Sequence, residues 1–122
     1  MATILLVDDE PEMRLLTRTI LEKKGYDVIE ARDSDETLVI LDKEKPDLIL
    51  LDVMMPGLNG WDLCRKIKNK EELKDIPIIM FTIMSESHNI ERSFKSGADA
   101  HINRPFEMKE FLDIVNKFLK KG

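Results

Sequence analysis

The sequence predicts a doubly wound α/β fold, a five-stranded parallel sheet with helices on both faces, built as five successive strand-helix units. Two observations carry this. Short apolar runs of strand length alternate with longer segments whose apolar residues recur at helical spacing, and the connections between them are short. Several of those runs also end abruptly in a polar residue: Ile4, Leu5, Leu6 and Val7 meet Asp8, while Leu48, Ile49, Leu50 and Leu51 meet Asp52. Near-continuous apolar runs mark strands buried on both faces, and short crossovers between parallel strands are right-handed.

The elements follow in order. Residues 3–8 read as the first buried strand, and Pro11 sits where a helix can begin because its missing N–H is not needed in the first turn. Met13, Leu16, Ile20 and Leu21 then mark the apolar face of helix one, which Gly25 stops. Residues 26–31 alternate apolar and acidic side chains, the pattern of an edge or half-exposed strand. Asp33 or Ser34 caps a second helix that runs to about residue 45, before Pro46, and the third strand spans 47–52.

Gly60 to about residue 68 carries Leu63, Cys64 and Ile67 on one helical face, and 69–75 reads as a charged, solvated connection. The run 77–82 is a fourth strand ending at Thr82, followed by a short helix with Ile90 and Phe94 that closes at Gly97. Residues 98–103 form a mixed strand broken by Arg104 and Pro105. Met108, Phe111, Leu112, Val115 and Leu119 give the clearest amphipathic helix in the chain, and they read as core. Trp61 and His88 read as surface or local packing.

The chain reads as one domain over residues 1–122, long enough to bury a core without metal or disulfide staples. A net charge of −5 argues against a general nucleic-acid surface and makes a protein partner or a small ligand the expected contact. Cys64 is the single cysteine, so no internal disulfide forms, and with no apolar run of membrane-spanning length the expected location is the cytoplasm.

In open parallel sheets ligands bind outside the carboxyl ends of the strands. Asp8, Asp9, Asp52, Thr82 and Arg104 all fall at such ends. Three carboxylates brought together repel, and a divalent cation relieves the repulsion; few hard oxygen ligands beside an open loop suit magnesium, with manganese as a substitute. Thr82 adds a hydroxyl and Arg104 a fixed cation, the groups that would hold the remaining oxygens of a phosphoryl group.

These residues lie in segments that resemble the receiver domains of two-component response regulators, of the chemotaxis-regulator type: VDDE at 7–10, LLDVMMPGLNG at 50–60, FT at 81–82, and GAD with PF within 97–106. The resemblance implies the flavodoxin-like fold with strand order 2-1-3-4-5. It implies that Asp52 accepts a phosphoryl group from a histidine kinase or phosphotransfer protein. Asp9 would be a direct magnesium ligand, Asp8 one acting largely through water, and the Met54 backbone carbonyl would complete the protein's share. Thr82 is then the switch hydroxyl, and His101 stands at the aromatic switch position of the face formed by helix four, strand five and helix five. Such a domain catalyses its own phosphorylation and slow dephosphorylation but is not otherwise an enzyme. It acts on a target protein or an attached output domain, with no direct nucleic-acid or membrane contact. The end of the sequence fits either a stand-alone receiver or a piece of a longer chain.

Three residues depart from the family pattern. Arg104 replaces lysine, a planar fork in place of a compact ammonium. Ile83 follows the switch threonine where a small residue is usual. His101 replaces tyrosine or phenylalanine, and it reads either as the switch position or as an ordinary surface histidine. Met54 and Met84, two beyond Asp52 and Thr82, offer no polar group to orient an attacking water, which predicts slow dephosphorylation. The alternative function is a receiver-like interaction module not regulated by phosphorylation. A flavin carrier is disfavoured because Asp8, Asp9 and Glu10 would repel a phosphate, and a metal-dependent phosphatase because the 52–57 loop holds one acid.

Overall fold

The apolar runs do form strands and the periodic segments helices, in strict alternation. The computed structural model describes residues 2–53, 59–82, 87–103 and 107–119, apart from the side chains at 82, 87–89 and 103. The order is β1 (Thr3–Val7), α1 (Pro11–Lys23), β2 (Asp27–Ala31), α2 (Ser34–Lys43), β3 (Leu48–Asp52), α3 (Gly60–Lys68), β4 (Ile78–Thr82), α4 (Ser87–Lys95), β5 (Ala100–Asn103) and α5 (Met108–Leu119). All strand pairs are parallel, in the order β2-β1-β3-β4-β5 expected from the sequence. The half-exposed strand β2 takes one edge, as its acidic alternation predicts.

Strand alternation sends neighbouring side chains to opposite faces and so builds two cores. Leu5, Val7, Ile49, Leu51, Ile78 and Met80 pack with Leu41 of α2 and with Leu63, Cys64 and Ile67 of α3. Ile4, Leu6, Leu48, Leu50, Ile79, Phe81 and Ile102 pack with Leu21 of α1 and with Phe111 and Val115 of α5.

Local signals set the helix starts. Glu10 caps α1 by accepting from the Glu12 N–H, with Pro11 at the first position; Asp33, of the two candidates, caps α2 by accepting from Glu36 N–H at 2.8 Å; Asn59 caps α3 by accepting from Asp62 N–H at 3.0 Å. Gly97 closes α4 with φ +103°, a left-handed conformation that glycine adopts without steric cost. A Cβ there would lie 3.0 Å from Cγ of Lys68. The Lys68 ammonium donates to the carbonyls of Lys74 and Ile76 and to Oδ2 of Asp99, and that same oxygen accepts from Ile78 N–H. Gly97 and Asp99 of the GAD motif therefore fasten α3 and the start of β4 at the end of the sheet remote from the acids.

Apolar spacing misassigned parts of two helix faces. In α1, Leu16 is 53% exposed and Thr17 is fully buried in the position expected for an apolar residue. In α5, Phe111 and Val115 are core but Met108 is 56% exposed, because it stands in the first turn, ahead of where the helix meets the sheet. The sequence assigns no face to α4, where Phe94 is half exposed while Ser93, and Ser96 just after the helix, are buried. The connection after α3 is also less solvated than its charge suggests: residues 70–76 form successive turns that bury Leu73.

Two predictions follow from burial. The Thr17 hydroxyl is buried and makes no hydrogen bond among the described residues, a state that costs about 1–3 kcal/mol relative to an apolar isostere. Thr17→Val is expected to raise the thermal midpoint by about 3–5 °C, and an unchanged or lower midpoint would contradict the assignment. Burial pushes the Cys64 thiol above its ordinary pKa, against a smaller opposing effect from its hydrogen bond with Ser96. A raised pKa leaves less thiolate at any given pH, so a thiol reagent at neutral pH should label the native protein slowly and the urea-unfolded chain quickly.

Candidate functional site

Strand register collects the acids. Val7 pairs with Ala31 on one side and Leu51 on the other, so Asp8 and Asp52 both stand one residue further along, at the carboxyl edge of the sheet. Asp52 pairs with Phe81 in β4, and Thr82, one residue beyond, pairs with Asn103 at the end of β5. The backbone thus brings Asp8, Asp52 and Thr82 to one edge, in adjacent strands.

Carboxylate oxygens of Asp8, Asp9 and Asp52 lie within 4.8 Å of one another, with Asp8 and Asp52 buried and Asp9 exposed. At that separation two buried carboxylates repel by roughly 3 kcal/mol at an effective dielectric of about 20. Hydrogen bonds to the neighbouring backbone hold Asp8 in place regardless. Its N–H donates to the Ala31 carbonyl at 3.1 Å, its Oδ1 accepts from Glu10 N–H at 3.0 Å, and its carbonyl accepts from Nη1 of Arg14 at 2.8 Å. Arg14 is itself held by Glu30 of β2, with Nε at 2.9 Å from Oε1. A set of three carboxylates, two buried and one open to water, fits a small hard divalent cation that keeps part of its water shell.

Gly60 decides how closely α3 approaches this edge. A Cβ there would lie 2.3 Å from the Asp52 carbonyl oxygen and 2.7 Å from Cα of Val53, and the Gly60 N–H donates to the Val53 carbonyl at 3.0 Å. Both obstacles are backbone, so no side chain can swing aside. Arg14 and Gly60 were not singled out by sequence reasoning. Gly60 lies inside the 50–60 motif, which was its available signal; Arg14, six residues from the acid it supports, has none.

Among the other expected residues, Thr82 ends β4 as read, and its side chain is outside the description. Met54, Ile83, Met84, Arg104 and Pro105 lie outside the described residues, as does the side chain of His88. His101 is half buried rather than a plain surface residue, its Nδ1 2.9 Å from Oγ of Ser93 in α4. Trp61 is also buried, as a packing residue would be, with its Nε1–H bonded to that same oxygen.

Residues 4–116 match the family model of the response regulator receiver domain. The chain belongs to the response regulator receiver family. A curated relative of this receiver is the phosphate regulon transcriptional regulatory protein PhoB of Pseudomonas aeruginosa, 40% identical over 119 residues, which cover 98% of this chain and 52% of the relative. The chain thus spans about half the length of the curated relatives it matches. In structure it is similar to the receiver domain of a signal transduction histidine kinase from Syntrophus aciditrophicus, with a TM-score of 0.92, 35% identity, and coverage of 98% of this chain and 91% of that one. It is also similar to the receiver domain of a sensor histidine kinase from Pseudomonas aeruginosa, determined with a magnesium ion coordinated in its active-site cleft. The TM-score there is 0.90 at 26% identity, covering 98% of both chains. The receiver is thus a two-component signalling domain, and no helix among its described residues is long and apolar enough to cross a membrane.

Gly60→Ala tests the close approach at the site. Because only backbone can yield, the receiver should lose about 1–3 kcal/mol of stability in urea unfolding. An unchanged midpoint would show that α3 can stand off from β3 without cost.

Proposed function

We propose that this receiver accepts a phosphoryl group on Asp52 from a histidine kinase or phosphotransfer protein in a magnesium-dependent reaction. The observation that carries this reading is the cluster itself: a buried strand-end carboxylate with two further carboxylates converging on it within 4.8 Å. In this reading a carboxylate oxygen of Asp52 attacks the donor's phosphorus in line; the bond from phosphorus to the donor's imidazole nitrogen breaks as the acyl phosphate forms. Asp8, Asp9, Asp52 and the Met54 carbonyl would hold magnesium, which when bound neutralises the charge gathered at the edge. Thr82 and Arg104 supply a hydroxyl and a guanidinium to the phosphoryl oxygens, and Arg104 serves where the family usually has lysine.

The same reading makes His101 part of the responding face formed by α4, β5 and α5. Output passes to a target protein or an attached output domain by protein contact, without direct nucleic-acid binding by this domain. Apolar Met54 and Met84 leave the attacking water unoriented, so the acyl phosphate is long-lived.

Intact-mass spectrometry after incubation with magnesium and acetyl phosphate tests the reading. A single phosphoryl adduct is expected on the parent and none on Asp52→Asn. Magnesium should separately raise the thermal midpoint of the parent more than that of Asp9→Asn. Failure to form an adduct, with magnesium binding intact, would overturn the phosphoacceptor role and leave a phosphorylation-independent interaction module.

A further inference from the structure

Helix α4 is seated on polar atoms. Its fully buried Ser93 points inward with Ser96, while Phe94 is 49% exposed. The Ser93 hydroxyl oxygen accepts from Nε1–H of Trp61 on α3 at 2.9 Å and lies 2.9 Å from Nδ1 of His101 on β5. One hydroxyl therefore joins three elements. Above it the Arg92 guanidinium stacks at 4.2 Å over the Trp61 ring. Below it the Ser93 carbonyl accepts from the Ser96 hydroxyl at 2.6 Å.

The chemistry of the bridge is directional. An indole nitrogen only donates, so Ser93 Oγ is the acceptor toward Trp61. Toward His101 it can give its proton to an unprotonated Nδ1 or accept from Nδ1–H through a second lone pair. Apolar contacts tolerate sliding; a hydroxyl shared between two ring nitrogens does not. Rotation of the His101 side chain about Cα–Cβ carries Nδ1 away from Ser93 and removes one of the two ring-nitrogen bonds at that hydroxyl. His101 pairs in register with Met80 of β4, two residues before Thr82, which places the bridge directly behind the strand ends that form the acidic site.

We propose that Ser93 is a positioning residue of the switch: its hydroxyl bridges Trp61 and His101, seats α4 on α3 and β5, and is released from His101 when Asp52 carries a phosphoryl group. The release half of this inference rests on the function proposed above; the bridge does not. Phosphorylation then works against a defined bond, and removing that bond lowers the cost of switching by about fivefold in the equilibrium, the factor carried by one neutral hydrogen bond of ordinary strength.

Nuclear magnetic resonance on the whole chain tests both halves. Trp61 is the only tryptophan and His101 is one of two histidines, so the indole N–H signal is unambiguous and His88→Gln assigns the imidazole nitrogens. In the parent, the indole N–H should be protected from exchange and the His101 nitrogens should report one tautomer. Ser93→Ala should abolish both signatures and Ser93→Thr should restore them. Adding magnesium with beryllium fluoride, a phosphoryl mimic, should move the parent's His101 nitrogens to their values in Ser93→Ala. It should saturate Ser93→Ala at about one-fifth of the parent's midpoint concentration.

Unchanged His101 and Trp61 signals in Ser93→Ala would overturn the bridge. If the mimic shifts amides around Asp52 while His101 keeps its parent values, the release is overturned and the phosphoacceptor reading stands. If the mimic shifts nothing in the parent, the phosphoacceptor reading and the release fall together, and the Ser93→Ala signals alone decide the bridge.

Discussion

Asp8, Asp9 and Asp52 converge against their mutual repulsion, and most of the scaffold around the carboxyl edge of the sheet serves to make that convergence tolerable. Two of the three are buried, where like charges interact more strongly than in water. Side chains alone would splay apart. What prevents it is that both strands bearing the buried acids are covered on each face by a fully buried core. The backbone flanking Asp8 is also pinned by bonds from Asp8 N–H to Ala31, from Glu10 N–H and from Arg14. Part of the folding energy thus holds charge in a position a divalent cation can use.

The two ends of the sheet divide the work. At the amino end, Lys68 and Asp99 join α3 to the start of β4 with a half-buried ion pair that also satisfies backbone groups, so the pair does more than an isolated surface bridge would. On β2 at the other end, Glu30 accepts from Arg14 and Arg18 of α1, tying the edge strand to the helix whose first turn follows the acids. The fastenings surround the acidic edge without supplying a cation from Lys68 or Arg18 to it.

The sequence made the sheet legible because the apolar runs are of strand length and bounded by turn signals, and because the acids interrupt those runs where the strands end. It placed β2 at an edge for the same reason: alternating acids cannot be covered twice. Helix faces were harder. Thr17 takes a core position that the sequence reading gives to Leu16, and a buried threonine hydroxyl with no hydrogen bond among the described residues is the exception that apolar periodicity cannot foresee. Met108 continues the stripe of α5 in sequence but lies beyond its contact with the sheet. Gly60 and Ser93 escaped notice for a different reason. Their importance lies in what surrounds them, a carbonyl at 2.3 Å from a Cβ that is absent and two ring nitrogens around one hydroxyl, and neither environment is local in sequence.

The contrast between α5 and α4 bears on how a small domain can both persist and respond. α5 is seated by Phe111 and Val115 in a continuous apolar core, and close-packed interiors resist displacement over their whole area. Among its described side chains, α4 turns Ser93 inward and leaves Phe94 half exposed, and the bonds at the Ser93 hydroxyl have a defined direction. A hydroxyl shared between two ring nitrogens is lost when one ring rotates, so an element held that way has a defined alternative. Discrete arrangements are what a switch requires. On the proposed reading, α4 is the element whose seating changes while the two cores, and with them the acidic edge, stay intact.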